Sequence, residues 1–122
     1  MAPASLHMGM EVRTKVWMEQ DGQVMLSDWR VALLEAVEAT GSLAAAARRL
    51  DVPYRTAWQK LHALEGRWGF AFLVTESGGP DGGRSRLTPQ ARALIARFHQ
   101  VVAGLQEQTE MRFTTLFADD VA

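Results

Sequence analysis

The 122-residue sequence predicts a mainly α fold with a small β wing. Three observations predict it. Apolar residues recur at spacings of three and four in several stretches, the period of a helix with one buried face. Two tight junctions, Gly41-Ser42 and Asp51-Val52-Pro53, divide the central stretch into short helices. Two short β-prone runs flank Gly78-Gly79-Pro80-Asp81-Gly82-Gly83, which continues neither a helix nor a strand.

Residues 1–9 hold Pro3, Gly9 and small side chains without a sustained period, and are expected to form a disordered tail. His7 with Met8 and Met10 sits in or beside that tail and is read as unordered, not as a metal site. From Met10 to Met18 apolar and polar residues alternate, which predicts a strand, with Asp21-Gly22 as the turn before Gln23-Val24-Met25. Ser27 is suited to cap a first helix carrying Trp29, Ala32, Leu33, Ala36 and Val37 up to Thr40, with Asp28 in its first turn. Gly41 ends that helix and Ser42 starts a second one, whose four alanines allow a neighbour to approach closely. Arg48 and Arg49 then face the negative end of its dipole. Asp51 tolerates a left-handed backbone, and Val52 before Pro53 is disfavoured in the helical region, so a sharp turn follows.

The third helix, about Pro53 to Arg67, carries the most information. At about 100° per residue Ala57, Leu61, Leu64 and Trp68 share one narrow apolar stripe. Arg55, Gln59 and His62 lie opposite, with Thr56, Lys60 and Arg67 on one flank and Tyr54 and Trp58 on the other. Arg, Gln and His reach phosphates and base edges, so this is the pattern a groove-inserted helix needs, although a solvated helix face would show it too. The run Phe70 to Thr75 and the run Arg84 to Leu87 read as two strands around a flexible tip, placing Arg84 and Arg86 beside it. No GK[ST] follows the glycines, so they are not read as a phosphate loop. Thr88-Pro89 starts a terminal helix expected to run to about Phe117. Its stripe contains Ala91, Leu94, Phe98, Val101 and Leu105, with Ile95 and Val102 beside it. That is the spacing of a helix–helix seam, either between two copies or against the chain's own core.

Charge is unevenly spread. The formal net charge is −1, yet residues 41–92 carry eight Lys and Arg against four Asp and Glu, while both ends are acidic. A basic middle attracts polyanions. With no cysteine there is no disulfide or thiol nucleophile, and no apolar run approaches the roughly 18 residues of a membrane helix. A cytoplasmic domain is expected, with no cofactor and no metal. No Ser/His/Asp set, metal-spaced His pair or paired buried carboxylates suggests an enzyme, since Glu35/Glu38 and Glu107/Glu110 read as solvated helix faces.

Helix, alanine-rich helix, tight turn, Arg-bearing helix and glycine-tipped hairpin make up the winged helix-turn-helix plan. Gly41-Ser-Leu-Ala-Ala-Ala-Ala-Arg-Arg-Leu50, the Val52 to Trp58 segment with its Tyr-Arg-Thr-Ala-Trp run, Phe72 to Glu76 and Arg86 to Pro89 resemble the N-terminal DNA-binding domain of ModE-type molybdate-responsive regulators. A more distant resemblance runs to LysR-type regulators. The matches cover roughly residues 26–90.

The resemblance implies a helix-turn-helix over about 42–67, a wing over about 71–87 and a terminal helix over about 88–117 that helps build a homodimer, together one domain over residues 10–122. Trp58 then matches a packing position. Pro53 stands where a Ser or Thr cap is common, and Pro80-Asp81 replaces a basic or glycine part of the wing tip. ModE-type regulators carry C-terminal oxyanion-binding domains, and the expectation here is a regulator of that type lacking them, so molybdate sensing is not carried over. The site residues expected for duplex DNA are Arg55, Gln59 and His62 for bases and Ser42, Thr56, Lys60, Arg84 and Arg86 for phosphates, with Tyr54 on the same surface. Leu94, Phe98, Val101 and Leu105 are expected to form the dimer seam. The alternative is a winged-helix module that meets a protein instead of DNA, for which the near-neutral isoelectric point of about 6.3 is the best support.

Overall fold

The computed structural model describes residues 9–76 and 83–117. Its elements are β1 (Trp17–Gln20), β2 (Gln23–Ser27), α1 (Asp28–Thr40), α2 (Leu43–Arg49), α3 (Tyr54–Trp68), β3 (Leu73–Glu76), β4 (Arg84–Leu87), α4 (Pro89–Val102) and α5 (Leu105–Phe117). The residue 1–9 tail up to Met8, the wing tip Ser77 to Gly82 and residues 118–122 lie outside the described residues, and with them His7, Met8 and Pro80-Asp81. Trp17–Phe98 forms one compact unit; the described residues up to Val16 together with those from His99 form another.

Local chemistry sets each boundary in the larger unit. Asp21 and Gly22 both have positive φ, 53° and 78°, the requirement of a two-residue turn between twisted antiparallel strands, and Gln20 pairs with Gln23 across it. Ser27 Oγ accepts the Arg30 amide at 3.2 Å, as expected of the cap of α1. Gly41, at φ 88°, closes α1 through its N–H to the Val37 carbonyl, and Ser42 Oγ accepts the Ala45 amide at 3.0 Å to open α2. Asp51 adopts φ 57°, and the Val52 amide donates to Ala47 O at 3.0 Å, which completes the turn before Pro53. Ala46 and Ala57 are fully buried, so α2 and α3 meet through small side chains. Leu26, Leu33, Leu34, Val37, Leu64 and Phe72 fill the centre.

Three boundaries differ from the expectation. Strand pairing is limited to Trp17–Gln20, not Met10–Met18, because β2 is only long enough to pair with that part and a register shift falls between Met18 and Glu19. The stretch before it keeps its alternation in a different setting. Thr14 donates from its amide and its hydroxyl to Gln106 Oε1 at 2.8 and 2.7 Å, and Gln106 Nε2 donates to Val12 O at 2.8 Å. A side-chain amide thus serves the extended chain as a neighbouring strand would. The terminal helical stretch is interrupted at Ala103-Gly104, where Gly104 takes φ 77°, outside the helical region. Finally, β3 starts at Leu73, since Phe70 and Phe72 stack on each other at 5.1 Å and Phe72 points into the core.

Candidate nucleic-acid interface

Helix α3 is held along its buried stripe and at its far end. Ala57, Leu61 and Leu64 are buried, as the spacing predicts. At the C-terminus Arg67 Nη1 donates to Val24 O and Trp68 Nε1 donates to Met25 O, both at 2.6 Å, clamping the last turn onto β2. Arg67 was expected as a surface cation of the flank and is instead half-buried. Beside it Arg30 is also half-buried, its Nε without a hydrogen-bond partner; burial first, and then the charge of Arg67, lower its pKa.

The outer face of α3 presents Tyr54, Arg55, Gln59 and Lys60, all exposed and, among the described residues, without a side-chain hydrogen bond or ion pair. Thr56 is half-buried beside them. His62 is committed differently. Its Nδ1 lies 2.9 Å from Trp58 O, which can only accept, so Nδ1 carries the proton and donates. The imidazole stacks on the Trp58 indole at 3.8 Å, and Nε2 stands 4.0 Å from Glu65. Trp58, expected to pack, is 45% exposed.

The wing is positioned by two carboxylates that the sequence did not flag. Glu65 of α3 accepts the Phe72 amide at 2.8 Å at the entrance to β3. Glu38 of α1 accepts the Leu87 amide at 2.7 Å and Arg92 Nη2 at 2.6 Å, so it is not the solvated residue that its i,i+3 spacing with Glu35 suggested. The Leu87 hydrogen bond lowers the Glu38 pKa most; burial opposes it, and the Arg92 bond and the charges of Arg92 and Arg86 add to it. Ser85 N–H donates to Gly41 O at 2.8 Å, tying β4 to the α1–α2 junction. Thr88 closes the base: its amide donates to Phe72 O, its hydroxyl donates to Ala71 O, and Oγ1 accepts the Ala91 amide that opens α4.

Arg84 lies over that junction, so close that a Cβ at Gly41 would stand 2.7 Å from its Nη1. No described residue pairs with it. Arg86 is bonded to Glu76 across the hairpin at 3.3 Å, an exposed pair that a phosphate could displace at little cost. Ser42 spends one lone pair of its hydroxyl on the α2 cap and keeps its proton to donate. Among the residues expected at a dimer seam, Leu94 and Phe98 are buried at 8% and 2% exposure, whereas Val101 and Leu105 are exposed. The first two belong to the chain's own packing and cannot line a free seam, because α4 turns that part of its stripe inward. No helix among the described residues is long and apolar enough to cross a membrane.

Two helices meeting at a tight turn, an open polar face on the second and a hairpin braced by α1 and α3 define a winged helix-turn-helix domain. A family model described as bacterial regulatory helix-turn-helix protein, lysR family, matches residues 30–92, and the chain belongs to that family. Its N-terminal region is also similar to the molybdenum-pterin-binding protein MopB of Rhodobacter capsulatus, 37% identical over 90 residues, 74% of this chain and 33% of that protein. The molybdenum transport protein ModE of Azotobacter vinelandii is 32% identical over 81 residues, 66% of this chain and 30% of that protein. The chain therefore spans about a third of the length of these relatives. Among solved structures, the CbnR DNA-binding domain in complex with DNA shares the fold, with a TM-score of 0.53 and 24% identity, covering 72% of this chain and 94% of that one.

Proposed function

We propose that this chain is a transcription regulator of the ModE-like type that binds duplex DNA as a homodimer in the cytoplasm, with α3 in the major groove and the β3–β4 wing on the flanking backbone. The observation that carries the reading is the free outer face of α3, where Arg55 and Gln59 are exposed and unpartnered on a helix clamped at its far end. Arg pairs with guanine and Gln with adenine through two hydrogen bonds each, and a fixed helix lets those bonds be selective. Ser42, Thr56, Lys60, Arg84 and Arg86 are assigned to phosphates, and Tyr54 to the same surface. His62, whose Nδ1 is engaged with Trp58 O, moves from base reader to a positioning role. The second copy is assigned to the exposed apolar side chains Val101 and Leu105 of the terminal helices, joined by Met111 and Leu116. The family description, bacterial regulatory helix-turn-helix protein, and a relative named transcriptional regulator ModE support the regulatory class.

The test is titration of the purified protein against duplexes from its own genome by fluorescence anisotropy at two salt concentrations, with a fixed non-specific duplex as control. A preference for particular sequences, falling steeply with salt, is expected. Weak binding that is blind to sequence and vanishes near physiological salt would refute the reading.

A further inference from the structure

On α3 the polar outer face is bordered by an aromatic ridge. Tyr54, Trp58 and His62 follow one another at intervals of four residues; Tyr54 is 53% and Trp58 45% exposed. At about 100° per residue, His62 lies about 20° and Trp58 about 60° around the helix from Arg55, so the ridge adjoins the base-reading line. An indole left nearly half exposed costs solvation, and among the described residues the ring stacked on this one is that of His62. It is also held still: stacking at 3.8 Å with 22° between the planes, and the hydrogen bond from His62 to the Trp58 carbonyl, fix ring against ring. The indole Nε1–H has no partner among the described residues.

Resting on the reading of α3 as the groove helix, the geometry points to Trp58 as a reader of thymine. In the major groove thymine alone presents a methyl group beside an acceptor, O4. The indole offers the complement, an apolar ring edge beside one N–H donor. Cytosine presents an N4 donor and no methyl, and guanine and adenine have no methyl to bury. His62 is the positioning residue: it touches the indole, and its ring sets the angle at which Trp58 enters.

The experiment takes the preferred duplex found by titration and replaces each thymine in turn by uracil, which removes the methyl and keeps O4. At one or two positions the wild-type protein should lose roughly fourfold in affinity, the effect of one methyl group withdrawn from water. Replacing the same thymine–adenine pair by 5-methylcytosine–guanine keeps the methyl and removes the acceptor, and should also weaken binding. Trp58→Ala, whose side chain lies on the surface, should bind the thymine and uracil duplexes equally, with an unchanged circular dichroism spectrum. His62→Ala should keep part of the methyl sensitivity and His62→Phe, which restores the stacked ring, most of it.

A wild-type protein indifferent to uracil at every position, or a Trp58→Ala variant that keeps the wild-type sensitivity, overturns the proposal while leaving DNA binding intact. If no duplex is preferred over the control, the DNA reading has failed and this one with it. That outcome is distinguished at the titration, before any uracil is introduced.

Discussion

Replacing Glu38 by Gln tests how the wing is held. The carboxylate takes the Leu87 amide at 2.7 Å and Arg92 at 2.6 Å, with the Glu38 side chain about a third exposed at 34%. Gln can keep the Leu87 bond, but at the strength of a neutral acceptor, a loss of about 1 kcal/mol against the charge-assisted bond. The partly solvated pair with Arg92 adds about 0.5 kcal/mol at most after screening. A loss of about 1.5 kcal/mol lowers the melting temperature of a unit this size by roughly 6–12 °C. The pH dependence has a definite sign. Because the folded carboxyl has a lowered pKa, its contribution is complete above the ordinary value near about 4.3 and disappears as the pH falls through the lower folded value. Thermal melts followed by circular dichroism should show the full gap at neutral pH and convergence of the two proteins as both side chains become neutral. A gap under about 2 °C at neutral pH, or one unchanged down to about pH 3, would refute the account of Glu38 as the brace of β4.

Gly41→Ala should destabilise the domain by about 1–2 kcal/mol, from the left-handed φ of 88° alone, and should push aside the Arg84 side chain, read as a lower melting temperature and weaker DNA binding. Arg55→Ala should reduce the difference between preferred and control duplexes, whereas Arg84→Ala should weaken all duplexes alike and reduce the salt slope by about one; equal effects on both measures would remove that division of labour. Gln106→Ala should release the chain around Val12 and Thr14, detected as faster amide exchange at Thr14, and an unchanged rate would show that the amide clamp contributes nothing. Leu105→Glu should shift the sedimentation of the protein from dimer to monomer if the exposed stripe holds a second copy; a dimer that persists places the contact elsewhere.

Most of what the sequence determined is local. As caps and turns, Ser27, Gly41, Ser42, Asp51 and Thr88 act on backbone groups only a few residues away, so those local roles could be read from residue type and position. The buried stripe of α3 followed from helical period in the same way. The basic middle of the chain and the glycine-tipped hairpin were equally legible, and with them the fold class.

Tertiary structure decided which polar groups were spent on the fold and which remained free. Glu38 and Glu65 lie far along the chain from the wing strands they hold, and only folding brings a carboxylate to the Leu87 or Phe72 amide. Arg67 looked like a surface cation until β2 offered it a carbonyl, and Leu94 and Phe98 looked like a seam until α4 turned them inward. Conversely, the family resemblance implies a packing position for Trp58, and in the fold it stands 45% exposed. Period and residue type say which side of a helix can be buried; how much of it is covered, and by what, depends on contacts between segments distant in sequence.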